Sequence, residues 1–263
     1  MATAPSVAPS ATLTALRPDG TARPVDRPFA PEIPVALEYN GLSYAVMMAS
    51  PSDLEDFITG FALTEGLASR VEDVTGIDIA ETDLGWIARA TITSLALEKL
   101  EERVRTRVAE SSCGLCGIDN LEVIAKPLPP VAPHSPIEPA AIFRALEGLR
   151  DRQPGNRATG GMHAAAYVAP DGGIIAVRED VGRHNALDKL IGAMARAGQP
   201  LGGGFLLSTA RCSYEIVEKA VRAGATTLVT ISVPTSMAAA RAQAAGLSLF
   251  ALARPDEVLR VTA

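Results

Sequence analysis

The chain has 263 residues, 48% of them hydrophobic but only 4% aromatic, and a formal charge of −6. That is enough apolar chain to bury one large core or two small ones, built from aliphatic strands and alanine-rich helices. The acidic balance argues against a nucleic-acid surface, no run approaches the ~18 apolar residues of a membrane span, and three cysteines without a secretory signal point to a reducing compartment, the cytoplasm.

Residues 1–32 are rich in Ala, Pro, Ser and Thr and read as a disordered tail, although an Arg-bearing polar N-terminus also suits an organellar transit peptide. Ordered structure is expected from Ile33. Val35 to Tyr39 and Leu42 to Met48 are apolar runs separated by Asn40-Gly41, the dipeptide that best tolerates a tight hairpin. Pro51-Ser52-Asp53-Leu54-Glu55 reads as a capping box, with Ser52 as N-cap and Glu55 reaching back, opening a helix to about Leu67. Strands are expected at Ile77 to Ala80 and Trp86 to Ile92, before the charged stretch Glu98 to Glu110. Residues 33–125 thus form a small mixed α/β lobe ending in a cysteine loop.

Six prolines between Lys126 and Pro139 mark residues 126–139 as a linker. Glu138 to Leu149 is an amphipathic helix and Gln153 to Thr159 a polar loop. His163 to Ala169 and Gly173 to Arg178 flank Pro170-Asp171-Gly172 and form a hairpin, followed by a helix over Asn185 to Ala197. Phe205 to Ser208, Thr227 to Ser232 and Leu247 to Leu252 then alternate with helices Ser213 to Ala223 and Thr235 to Ala245, which predicts parallel strands covered by helices over residues 140–263. Ligands bind such sheets at the carboxyl ends of strands, here Ser208-Thr209, Ser232 to Pro234 and Ala253-Arg254.

Cys113-Gly114-Leu115-Cys116-Gly117 carries the densest chemical information. A free thiol with a pKa near ~8.5 is mostly protonated at neutral pH, and a CxxC setting brings it to around 7, so that roughly half is nucleophilic. Glycines at 114 and 117 free backbone amides to face a sulfur anion. A zinc half-site, a thiol–disulfide exchanger and a plain buried pair are the alternatives; zinc needs two further ligands, and the chain offers only Cys212, His134, His163 and His184, scattered singly. Thr159-Gly160-Gly161-Met162-His163 places an imidazole beside two glycines. Zinc deaminase chemistry needs H-x-E and a later P-C-x-x-C. Ala165 stands where that glutamate would be, and the CxxC lies upstream. The segment from Arg178 to Lys189 is either an anion site of arginine and helix amides or an elaborate helix cap with ion pairs.

In this order, Asn40-Gly41, Thr64-Glu65-Gly66, Ser112 to Gly117, Thr159 to His163, Glu179 to Lys189 and Ser232-Val233-Pro234-Thr235-Ser236 resemble the FdhD family of formate dehydrogenase accessory sulfurtransferases, over roughly residues 35–257. The resemblance implies a cytidine-deaminase-like α/β C-terminal lobe without intrinsic metal. It implies a sulfurtransferase that moves persulfide sulfur from a cysteine desulfurase to the molybdenum or tungsten bis-guanine-dinucleotide cofactor, Mo-bis(molybdopterin guanine dinucleotide), before that cofactor enters formate dehydrogenase. It makes Cys113 the persulfide carrier with Cys116 its partner. It places the cofactor against Leu252, Ala253, Arg254, Pro255, Asp256 and Glu257, with His163 and Arg183 in the same pocket, and it implies a homodimer. Where members of that family often have a glycine followed by a second arginine, this chain has Pro255-Asp256-Glu257, which removes an amide donor and adds two acids. A cofactor-holding chaperone and a thiol–disulfide oxidoreductase are the rival functions.

Overall fold

The computed structural model describes residues 10–95, 100 and 126–262. Cys113, Cys116 and the charged stretch Glu98 to Glu110 lie outside the described residues, save for Leu100, which is buried.

The N-terminal lobe is a four-stranded sheet of order β4-β3-β6-β5, formed by β3 (Ile33–Tyr39), β4 (Leu42–Ala49), β5 (Val74–Thr82) and β6 (Gly85–Ile92). Asn40 and Gly41 take φ of 50° and 79°, as the tight β3–β4 turn requires. Helix α1 (Leu54–Thr64) lays Phe57, Ile58 and Phe61 on Val35, Leu37 and Tyr39. Its start corrects the expected capping box. Asp53, in the left-handed region at φ 55°, is the N-cap, and no side chain caps the helix.

The expected disordered tail is also corrected over residues 10–28. There β1 (Ser10–Leu16) and β2 (Ala22–Pro28) pair antiparallel in unbroken register. Threonines favour the extended chain, and the Asp19 carboxylate, accepting from the Thr21 amide and hydroxyl, closes the turn.

The C-terminal lobe holds a six-stranded sheet of order β12-β11-β10-β9-β7-β8, from β7 (His163–Val168), β8 (Ile174–Asp180), β9 (Phe205–Ser208), β10 (Thr227–Thr230), β11 (Ser248–Ala251) and β12 (Leu259–Arg260). β9, β10 and β11 run parallel, as the strand–helix alternation predicts, while β7 pairs antiparallel with β8 and β9. Both faces are covered, and the period of two decides which residue goes where. Tyr167, Leu206, Leu228 and Leu249 face α4 (Arg183–Arg196), α5 (Tyr214–Arg222) and α6 (Ser236–Ala245). Their neighbours Val168, Phe205, Val229 and Phe250 face α2 (Pro139–Leu149). Gln153 to Thr159 is not wholly a loop, since Pro154–Thr159 forms the short helix α3, with the Glu179 carboxylate accepting from the Gly155 and Asn156 amides at its start. The proline-rich stretch carries no helix or strand and lies along this lobe, where the Val131 amide donates to Ala245 O.

The lobes meet where α1 crosses α4. Gly60 and Gly192 face each other there so closely that a Cβ on Gly60 would stand 1.8 Å from Asp188 O, and one on Gly192 1.9 Å from Asp56 O.

Candidate functional site

The polar segment from Arg178 to Lys189 is mainly mortar between the lobes. Fully buried Asp180 accepts from the Ser50 amide at 2.9 Å, the Gly182 amide at 2.7 Å, Asn185 Nδ2 at 3.0 Å and Lys189 Nζ. Lys189, also fully buried, donates its second bond to Ser50 O. Arg178 pairs with Asp56 at 2.8 Å, and Arg196 bonds both Asp56 and Glu55. Deeper along the helices, Lys219 donates to Thr64 Oγ1, Glu65 and Asp188. The carboxylates of Asp188 and Glu65 beside it raise the Lys219 pKa, so burial does not strip its charge. Thr64, Glu65, Asp180, Asn185, Asp188 and Lys189 are therefore accounted for by lobe docking.

Arg183 and His184 start α4 and stand near His163, whose imidazole pKa is lowered first by burial and then by these two charges, with Asp180 opposing. His163 Nδ1 lies 3.5 Å from Thr209 Oγ1. His184 Nε2 approaches Glu215 Oε2 to 2.9 Å without the alignment of a hydrogen bond. Because protons bind His163 less well in the folded chain than at the free value of 6.5, folding loses stability as pH falls below about 6.5. Thermal melts between pH 7.5 and 5 should therefore decline more steeply for the wild type than for H163Q. Equal slopes would show that His163 is not held neutral.

The third cysteine is not a nucleophile: Cys212 is fully buried, and burial pushes its thiol up to about 12. Among the described residues, no group of three or more His, Cys, Asp or Glu could hold a metal ion. No described helix is long and apolar enough to cross a membrane.

The segment from Leu252 to Glu257 leaves the carboxyl end of β11. Leu252 takes a left-handed φ of 49°, uncommon for a branched side chain, and turns the strand aside. Ala253 is buried and its amide donates to Thr230 O, whereas Arg254, Pro255, Asp256 and Glu257 are exposed in a turn closed by Arg254 N to Glu257 O at 2.8 Å.

An open cleft of about 520 Å³ lies at the carboxyl ends of β9 and β10, where Thr209 and Ile231 enter its lining. Three arginines line it from separate places: Arg27 from the N-terminal hairpin, Arg150 from the end of α2 and Arg157 from α3. Gly160, at φ 73°, lets the chain turn beneath Arg27, so one motif glycine serves the approach of the protein's own arm. Leu146, Leu149 and Ile231 supply an apolar wall. Gln153, only 6% exposed, also lines the cleft, and its Nε2 has no hydrogen-bond partner. Neither His163, nor Arg183, nor any of residues 252–257 lines it, although His163 touches Thr209 and Ala253 bonds the residue before Ile231. The three arginines and Gln153 escaped the sequence reading because Gln153 and Arg157 fell in an expected loop, Arg150 just past an expected helix and Arg27 in an expected tail. The run Arg150-Asp151-Arg152-Gln153 after an amphipathic helix was the available signal. Guanidiniums and an amide donor suit anionic oxygens and do not suit a metal cation.

The model of the FdhD/NarQ family matches residues 30–262. The chain is 41% identical over 233 residues to a protein of Variovorax paradoxus, covering 89% of this chain and 84% of that one, and 42% identical over 248 residues to one of Chromobacterium violaceum, covering 93% and 92%. Both are named sulfur carrier protein FdhD. A solved structure from Desulfotalea psychrophila, assigned as a formate dehydrogenase accessory protein, superposes with a TM-score of 0.76 over 98% of this chain and 97% of that one, at 23% identity. It bears out the two-lobed α/β fold.

Proposed function

The chain belongs to the FdhD/NarQ family, and on that premise we propose that it is a sulfur carrier that takes persulfide sulfur from a cysteine desulfurase and delivers it to the bis-guanine-dinucleotide cofactor of molybdenum or tungsten destined for formate dehydrogenase. The observation that carries this reading is the Cys113-x-x-Cys116 pair in a chain whose relatives, more than 40% identical over most of its length, are named sulfur carriers. With Cys212 deeply buried and its thiol pKa raised, chemistry falls to the pair in the glycine loop.

In the first step the Cys113 thiolate attacks the terminal sulfur of the donor persulfide. A new S–S bond forms, the donor S–S bond breaks, and the donor cysteine leaves as a thiolate. No external oxidant is needed, because the sulfane sulfur keeps its oxidation state. Release of that atom as sulfide needs two electrons, and Cys116 supplies them. Its thiolate attacks Cys113 Sγ, hydrosulfide departs, and a Cys113–Cys116 disulfide remains. The cofactor is substrate here, and the arginine-lined cleft at the strand ends supports the reading that a phosphate-bearing ligand docks on this lobe. Cysteine desulfurase and formate dehydrogenase are the partners in this reading, which also keeps the implied homodimer and the cytoplasmic setting.

Incubation with a cysteine desulfurase and cysteine, followed by intact-mass spectrometry, is expected to add about 32 Da, one sulfur, to the wild type and none at this site in C113A. An undiminished gain in C113A would overturn the role of Cys113. Maturation of formate dehydrogenase by C113A at the wild-type level would favour a cofactor-holding chaperone instead.

A further inference from the structure

The hairpin β1–β2 belongs to neither lobe's sheet, and it lies ahead of residues 30–262, the stretch that the family model matches. Two strands alone are only marginally stable in water, and this pair has little to lean on. Most of its residues are exposed. Among the described residues every hydrogen bond it makes is internal: the ladder itself, Thr12 Oγ1 to Asp26 at 2.8 Å, and the turn around Asp19. Pro24 and Pro28 lack an amide hydrogen, so the outer edge of β2 is unsuited to extending a neighbouring sheet. What attaches the hairpin is a short seam against α3 and the turn that follows. There a Cβ on Gly160 would stand 3.6 Å from Arg27 Nη2, and one on Gly161 3.4 Å from Ala30 Cβ. From that seam Arg27 joins Arg150 and Arg157 in the lining of the cleft. Residues 29–32, which connect β2 to the N-terminal sheet, carry neither helix nor strand.

We propose that residues 10–28 form a hinged strap, which swings aside to let the cleft fill and closes over one side of it afterwards. Residues 29–32 are the hinge and Arg27 is the latch. The proposal rests on the reading that a phosphate-bearing ligand docks at this cleft, and it concerns passage in and out rather than the ligand. Charge drives the closure. A third guanidinium brought beside two others is repelled, whereas the same guanidinium is attracted once anionic oxygens lie between them. The ligand therefore binds the closed form better, by the contact with Arg27, and that difference is what shifts the strap. The thin seam makes opening easy, because no hydrogen bond to either lobe and no shared sheet has to break.

The seam supplies its own lock. A Cβ on Gly161 lies 3.4 Å from Ala30 Cβ, near the spacing of about 3.8 Å in a disulfide, so oxidised A30C/G161C ties the strap shut in the full chain. Stopped-flow fluorescence with mant-GDP as the probe then reads entry and release. The locked chain is expected to slow both by roughly tenfold or more, and dithiothreitol to restore them. Wild type treated with the same oxidant controls for the native cysteines, and peptide mapping identifies the bond between positions 30 and 161. R27A, which removes the latch from an exposed position and leaves the hinge free, should speed release severalfold in a chain whose thermal melt matches the wild type. A pair that does not cross-link under mild oxidation overturns the seam and the strap with it. Unchanged rates in both the locked chain and R27A overturn the strap and leave ligand docking in place. No mant-GDP binding by the wild type removes the docking reading and, with it, anything for the strap to close on. Sulfur gain on Cys113 is independent of all three results.

Discussion

G60A is expected to lose on the order of 3 kcal/mol of stability or more, against an intrinsic helix-propensity gain of about 1 kcal/mol for replacing glycine by alanine. The clash decides the sign. A methyl group at residue 60 would sit 1.8 Å from Asp188 O and 2.7 Å from its carbonyl carbon, and neither can swing aside as a flexible side-chain end can. Relief requires α1 and α4 to move apart, which loosens the buried polar contacts strung along the crossing. G192A meets Asp56 O at 1.9 Å across the same contact and should behave alike. Once the helices have separated, the second methyl meets less resistance. The double variant should therefore lose clearly less than the sum of the two. Urea melts followed by circular dichroism and by the fluorescence of Trp86, the chain's single tryptophan, check this. A G60A melt superposable on the wild type would mean that the helices do not cross backbone to backbone.

D180N should cost about 3–5 kcal/mol, the usual penalty for stranding one charge of a buried pair. Asp180 and Lys189 are both fully buried, and every Asp180 oxygen has two donors. An asparagine of the same shape would turn an N–H toward the Ser50 amide and the Lys189 ammonium, setting donor against donor. K189M alone strands the Asp180 carboxylate, and the pair D180N/K189M removes both charges. The double variant should recover much of the loss, because two neutral groups of similar volume bury more easily than one orphaned ion. Additive losses in equilibrium unfolding would show that the two charges are not coupled.

Much of the fold was legible because local patterns and tertiary demands agreed. The β3–β4 hairpin rests on Asn40-Gly41, whose tolerance of positive φ is a property of those two residues in any setting. The parallel β9-β10-β11 run follows from strand–helix alternation with short connections. Even the fully covered sheet was implied by unbroken aliphatic runs such as Phe205 to Ser208 and Thr227 to Thr230. Other expectations failed where a weak local signal met a stronger distant one. Ser52 and Glu55 match a capping pattern, yet Glu55 goes to Arg196 across the lobe interface, and Asp53 takes the cap position in the left-handed region. Gly60 and Gly192 were readable in principle, since a glycine inside an amphipathic helix is unfavourable unless something must come close. What comes close is a residue more than a hundred positions away.

The sequence by itself determined the chemistry this chain can carry: two thiols spaced by two residues among glycines, a third cysteine in a strand–helix run, and motifs whose order places it in its family. Those follow from residue type and spacing, which no packing arrangement alters. Only the tertiary structure decided how the polar residues divide their work. It assigned Asp180, Asp188, Lys189 and Lys219 to joining the lobes, and it gathered Arg27 with Arg150, Gln153 and Arg157 at one cleft from two distant stretches of chain. An ionisable side chain has the same identity whether it cements an interface or faces a ligand. Its surroundings, set by contacts between distant segments, make the difference.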